Sequence, residues 1–315
     1  VPIARQITAG SGKSQQELIP QKGEYMSINF FILPDDGLSP LVSPLAAARQ
    51  TLDVYIFRLE QGAVEQAISA AAHRGVLVRA ILDRATAGNQ PVYERLIQAG
   101  VAARWSPPYF VKTHAKCFVA DGEHTVITTA NFVAAWPGVR DYGVATDDLA
   151  VASAVTSTFE ADWREQEGQP TASEVANLIV SPINSRAQTF NFINQAQHSL
   201  YVQHEQFDDP AVADLLAARA NAGVQVRLLL GERASGTLLA RLHSLAPTLL
   251  SRTLSQPRPH CKLLIRDAAA IQIGSLNLTT ESLDRRREIS LLLDDPAAVQ
   301  RATATFQADW VSASS

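Results

Sequence analysis

Apolar and polar positions along this chain fall into two similar passages. In the first, LDVYIF at 52–57 is a short, nearly continuous apolar run with β-branched and aromatic residues. Such a run predicts a strand covered on both faces. AVEQAISAAAH follows at 63–73, with Val64, Ile68 and Ala71 at helical spacing, and the pattern stops at Gly75. That predicts a helix ended by a glycine. VLVRAIL at 76–82 then predicts a second strand. Strand, helix, glycine, strand is the parallel crossover unit of α/β proteins.

The second passage repeats the first. SLYVQ at 199–203 stands for LDVYIF, and ARANAGVQVRLLLG at 218–231 stands for AAAHRGVLVRAILD at 70–83. TFQADW at 305–310 stands for TFEADW at 158–163. The copies are offset by 146 to 148 residues, a spacing that means domain duplication rather than a solenoid. The expected organisation is an N-terminal arm at 1–26, one half at 27–168 and a second at 174–315. REQEGQPTAS at 164–173, polar with Gly and Pro, reads as the linker.

One pair of segments carries chemistry. HAKCFVADGEHTVITTAN at 114–131 and HCKLLIRDAAAIQIGSLN at 260–277 share His first, Lys third, Asp eighth and Asn last. Alternation along a strand places His114 and Lys116 on one face, and likewise His260 and Lys262. The second part of each segment reads as another strand, leading to a turn that returns Asn131 or Asn277 to the His/Lys end. Each copy thus offers an imidazole, an ammonium and a carboxamide at one sheet edge. The chain has five lysines against 22 arginines, yet both motif positions are Lys. A compact ammonium and a planar guanidinium are not equivalent, so the choice points to function.

Bulk composition narrows the classes. With 46% hydrophobic and 18% charged residues, the chain falls among folded globular proteins. Its net charge of −4 counts against a dedicated binder of long polyanions. No stretch reaches the roughly 18 apolar residues of a membrane span. Two cysteines are too few for a disulfide framework or a four-ligand zinc site, and Cys117 and Cys261 are expected as buried thiols. The chain opens at Val1 rather than Met, which fits a removed leader or a trimmed start, and no signal segment separates the two.

The paired segments resemble the phospholipase D superfamily, whose signature is H-x-K-x4-D-x6-G-[S/T]-x-N, present twice per active site. His260, Lys262, Asp267, Gly274, Ser275 and Asn277 match every fixed position. His114, Lys116, Asp121, Thr129 and Asn131 match too, with Thr128 where the family has Gly. The family's downstream acid corresponds to Asp141 in GVRDYG and Glu288 in RRREIS. The resemblance implies a duplicated α-β-α sandwich, its pseudo-twofold halves enclosing one active site. It implies phosphodiester cleavage through a covalent phosphohistidine, with no metal or other cofactor because lysine supplies the positive charge. By that analogy His114 is the nucleophile and His260 the acid, with Glu288 supporting His114 and Asp141 supporting His260 across the halves. Asp121 and Asp267 are expected to tie down backbone.

The expected substrate is a phospholipid, hydrolysed or transferred to an alcohol by a functional monomer touching the membrane peripherally. A nuclease and a non-catalytic binding module are the alternatives. The acidic charge favours lipid over nucleic acid, and two intact motifs weigh against a dead module. A deep apolar groove would suit lipid; an open basic trench would suit a nucleic-acid strand. Exported or membrane-peripheral bacterial members are similar in outline. Trp105–Phe110 and the loop at Trp136 are expected as an aromatic rim or as loop packing, Trp163 and Trp310 as core, and Glu205 and Gln206 as candidates for lining the site. Arg285, Arg286 and Arg287 read as a solvated run.

Overall fold

A computed structural model describes residues 27–60, 62–133, 138–166 and 177–314. The arm at 1–26, residues 167–173 of the linker and Trp136 lie outside the described residues.

The first half runs β1 (Ile28–Leu33), α1 (Ser39–Ala47), β2 (Thr51–Ile56), α2 (Ala63–His73), β3 (Leu77–Leu82), α3 (Asn89–Gln98), β4 (Ala102–Trp105), β5 (Cys117–Ala120), β6 (His124–Thr128), β7 (Val139–Thr146) and α4 (Leu149–Trp163). The second runs β8 (Leu178–Ser181), α5 (Ser185–Asn194), β9 (Ser199–His204), α6 (Pro210–Asn221), β10 (Gln225–Leu230), α7 (Gly236–Leu245), β11 (Leu250–Thr253), β12 (Arg258–Pro259), β13 (Lys262–Arg266), β14 (Ala270–Gly274), α8 (Thr280–Asp284), β15 (Glu288–Leu293) and α9 (Pro296–Ser312). The sheet orders are β1-β7-β6-β5-β2-β3-β4 and β8-β15-β14-β13-β9-β10-β11, the same path twice. The crossovers β2-α2-β3 and β9-α6-β10 are parallel, as the repeat predicts.

Continuous apolar strands arise because both sheet faces are covered. Leu52, Val54 and Ile56 face an outer core with α1, α2 and α3, while Tyr55 faces inward. In the second half Leu200 and Val202 face an outer core with α5, α6 and α7. The inward faces of both sheets share one central core with α4 and α9, and Cys117 and Cys261 lie in it as free thiols. Each half is thus an α-β-α sandwich joined to the other through a common interior. Trp310 is buried there, but Trp163 is only partly buried.

Asp121 and Asp267 hold the backbone. Each sits in the left-handed region, φ 55° and 53°. The carboxylate of Asp121 accepts from the N–H groups of Arg49, Gln50 and Thr51 at 2.7–3.1 Å. That of Asp267 accepts from Gln197, His198 and Ser199 at 2.7–3.2 Å. Each ties the turn after its motif strand to the start of the neighbouring strand.

The Thr128 departure has a structural counterpart. Thr128 lies opposite Gly143, whereas Gly274 lies opposite Ser290. The glycine of the pair has moved across the ladder. At Gly274, φ is +150° and a Cβ would stand 2.4 Å from the Ile289 carbonyl oxygen. Gly274→Ala is expected to cost about 2–4 kcal/mol, read as a lower urea midpoint at unchanged slope. Thr128→Gly loses a hydroxyl bond to the Tyr142 carbonyl at 2.9 Å, another accepted from the Ala130 N–H at 3.1 Å, and some backbone restriction, about 2–3 kcal/mol.

Candidate active site

The two His residues lie just before their strands rather than within them, since β5 begins at Cys117, one residue after Lys116, and β13 begins at Lys262 itself. Leaving their own sheet, these approach segments bond to the other half. Arg258–Pro259 runs parallel to Val139–Arg140, and Thr113 bridges Arg287. The His260 N–H donates to the Arg140 carbonyl at 3.0 Å, and the His114 N–H to the Arg287 carbonyl at 2.8 Å. The next residue after each acceptor is an acid. Asp141 Oδ1 therefore stands 2.8 Å from His260 Nδ1, and Glu288 Oε2 stands 2.8 Å from His114 Nδ1. Backbone pairing thus sets the crosswise contacts.

The same two arginines clamp the halves from below. Arg287 makes a bidentate pair with Asp162 at 2.8 Å and 2.8 Å, and Arg140 one with Asp309 at 2.9 Å and 3.0 Å. Both aspartates come from the repeated ADW. Tyr55 donates to Asp162, and Gln203 to Asp309. Sequence reasoning missed these clamps, and it misread Arg287, which is almost wholly buried. Arg286 is also buried and lines the cleft, so of the run Arg285 alone is exposed.

Lys116 Nζ donates to the His114 carbonyl at 2.7 Å, and Lys262 Nζ to the His260 carbonyl. Asn131 Nδ2 approaches His260 Nε2 at 3.3 Å. Among the described residues, Asn131 Oδ1 and both amide atoms of Asn277 are buried without a hydrogen-bond partner. Thr129 Oγ1 donates to Asp141 at 2.5 Å, and Ser275 Oγ accepts from the Ile289 N–H at 3.0 Å. His114, His260 and Asn131 open onto one cleft of about 460 Å³, with Phe57, Glu205 and Gln206 in its wall. Arg58, Lys112, Arg233, Arg258 and Arg286 also line it. The cleft is basic and polar, not an apolar slot. Among the described residues, Trp105–Phe110 do not line it and take the loop-packing alternative. Trp105 stacks on Tyr93 at 4.6 Å between ring centres, and Phe110 lies beneath Arg287.

The two dyads differ electrostatically. Burial, then the positive charges of Lys116, Lys262 and Arg286, hold the His114 imidazole well below its ordinary value. Burial pushes the Glu288 carboxyl up to about 7, against the pull of Lys116. Burial alone would also raise Asp141, but His260 and Lys262 leave it below the usual carboxylate value. Burial and then Lys262 set Lys116 well below its ordinary value, against the pull of Glu288, Glu205 and Asp141.

Glu288 is raised from 4.5 to about 7, while His114 is lowered from 6.5. Between those pH values of 4.5 and 6.5 the native dyad carries its proton on Glu288, and the unfolded chain carries it on His114. The counts cancel, so the dyad adds no pH slope to stability there. Glu288→Gln removes the compensation. Its native state then binds fewer protons than its unfolded state, and its stability rises towards pH 6.5 by up to about 1.4 kcal/mol per unit relative to the parent protein. Denaturant midpoints across that range test this; parallel profiles would contradict it.

Comparison with known proteins places this arrangement. A family described as "Cardiolipin synthase, PLD-like domain" matches residues 41–163 and 190–310. A phospholipase D of Rickettsia conorii (strain ATCC VR-613 / Malish 7) is 23% identical over 142 residues, covering 44% of this chain and 69% of that protein. Among solved structures, polyphosphate kinase from Porphyromonas gingivalis superposes with a TM-score of 0.72 at 18% identity, over 90% of this chain. The chain spans 50% of that kinase. Phosphatidylserine synthase of Haemophilus influenzae Rd KW20 superposes with a TM-score of 0.70 at 13% identity, over 90% of this chain and 85% of that one. At such identities the two structures share the fold.

Proposed function

The chain belongs to this phospholipase D-like family, and we propose that it cleaves or transfers phosphodiesters without metal, through a covalent intermediate on His114. The observation that carries the reading is the convergence of two crosswise His–carboxylate pairs and two lysines around one cleft. Nε2 of His114 attacks phosphorus while the bond to the leaving oxygen breaks and His260 gives that oxygen its proton. His260 then takes a proton from water or an alcohol, whose oxygen displaces His114. Lys116, Lys262, Asn131 and Asn277 hold the non-bridging oxygens. Asn277 suits that role with an unpartnered Nδ2, and Asn131 with an Nδ2 that already stands at His260 Nε2; donors aimed at developing charge are typically worth about 2.7–4 kcal/mol each. Metal independence follows from lysine supplying the positive charge. Turnover of bis(p-nitrophenyl) phosphate in EDTA is the expected result; strict dependence on an added metal would overturn it.

The phospholipid reading is carried by the family match rather than by the cleft, which is basic and polar where an apolar groove was expected for lipid. Among the described residues no helix is long and apolar enough to cross a membrane, so lipid would be reached from the surface, with the basic mouth against anionic headgroups. The same mouth favours a second reading, cleavage of a nucleic-acid strand. Phosphatidylglycerol vesicles and single-stranded DNA, assayed side by side, separate the two. Preferential release of headgroup or exchange onto an added alcohol supports lipid; preferential DNA cleavage supports the alternative.

The dyads predict unequal responses. His114 must present a bare Nε2, which requires Nδ1–H donating to Glu288. The active form therefore appears as the dyad loses a proton, and kcat/KM should rise through an acid limb near pH 7. Glu288→Gln keeps an acceptor for Nδ1–H and should lose only about tenfold, with its acid limb at lower pH. Asp141→Asn removes the charge behind an imidazolium and should lose about 10³–10⁴-fold, the scale seen when a triad aspartate is neutralised. Equal losses would contradict this division.

A further inference from the structure

We infer that Glu205 makes the two histidines unequal, serving as the positioning residue that keeps His260 the proton donor. The inference rests on the phosphodiester reading and deepens it. The observation is a broken symmetry. β2 ends at Ile56 and β9 at His204, so Phe57 and Glu205 are equivalent positions. The Phe57 ring lies 4.3 Å from the His114 ring and 4.6 Å from Lys116 Nζ. Glu205 Oε2 lies 3.6 Å from His260 Nε2 and 3.3 Å from Lys262 Nζ. One dyad is walled by an aromatic ring, the other by a carboxylate.

The carboxylate is built in. It is buried, and its other oxygen meets Arg233 at 3.2 Å and Arg258 at 3.8 Å. Lys262, His260 and Arg233 keep Glu205 ionised against burial, which would neutralise it. His260 is faced by Asp141 from β7, Glu205 after β9, Lys262 on β13, the neighbouring His114, and the guanidiniums beside Glu205. His114 is faced by Glu288, Lys116, Lys262, Arg286 and His260, with Phe57 where the second carboxylate would be. A negative charge within about 4–6 Å favours an imidazolium, and an apolar wall disfavours it. The acid therefore belongs beside Glu205 and the nucleophile beside Phe57.

Glu205→Gln tests this, because it keeps shape and removes charge. The alkaline limb of kcat/KM should move to lower pH by about 1–2 units, with the acid limb unmoved. At alkaline pH the loss should be about tenfold or more for an alkyl leaving group and much smaller for p-nitrophenolate, which departs without a proton. Glu205→Asp should restore the limb in part. Glu205→Phe copies the first half's residue and should behave as Glu205→Gln. An unmoved limb, or equal losses on alkyl and aryl esters, overturns the inference. A readout free of turnover separates it from the functional proposal. In ¹⁵N NMR of the ring nitrogens, His260 should release its proton at least about one pH unit lower in Glu205→Gln. An unchanged His260 titration in a folded variant overturns the role of Glu205 even if the enzyme acts on phosphodiesters. A shift supports it even if the substrate class proves different.

Discussion

His114→Ala is expected to lower kcat/KM towards bis(p-nitrophenyl) phosphate by about 10⁴-fold or more, with the melting temperature nearly unchanged. The reason is chemical rather than structural. The imidazole is buried against Phe57 and held by Glu288, so it reaches phosphorus as a neutral ring. No neighbouring group replaces it as nucleophile, because the His260 ring is turned to Asp141 and Glu205. His260→Ala should be graded by leaving group, severe for alkyl esters and milder for p-nitrophenyl. A loss below tenfold in His114→Ala would mean that water attacks phosphorus directly.

Arg287→Ala is expected to destabilise the protein by about 3–5 kcal/mol, because it leaves the Asp162 carboxylate buried and unpaired. Asp162→Ala should cost about as much. Activity should fall with stability, since the Arg287 carbonyl receives the His114 N–H and Glu288 follows it in β15. Replacing both partners with apolar residues of similar volume should recover much of the stability and leave activity impaired. Chemical denaturation with paired activity assays checks this. A cost below about 1 kcal/mol for the single change would show that the clamp does not hold the halves.

The duplication and its crossover units were legible because buried strands and glycine-ended helices leave a local mark, and they leave it twice. β2, α2 and β3 fall where LDVYIF, AVEQAISAAAH and VLVRAIL place them. The crosswise clamps left no local mark. Arg287 stands in a triple-arginine run that looks solvated, and in ADW the tryptophan draws the eye while the aspartate makes the contact. Setting Arg140–Asp141 beside Arg287–Glu288, and both beside the two ADW segments, was the available signal. The basic mouth was hidden for a similar reason. Arg58, Lys112, Arg233, Arg258 and Arg286 come from separate segments, so they form no stripe in a chain with net charge −4. For Trp105, which precedes the motif, the sequence leaves rim and loop packing open, and stacking on Tyr93 decides for packing. Thr128 departs from the signature in sequence, and only the ladder shows its partner to be Gly143.

The account stands or falls on where phosphorus goes during turnover. Protein quenched under steady-state turnover of a phosphodiester and digested for mass spectrometry should carry the phosphoryl adduct on the peptide containing His114. An adduct on His260 would reverse the roles of the two halves. The absence of any histidine adduct, with the diester still being consumed, would contradict the two-step mechanism.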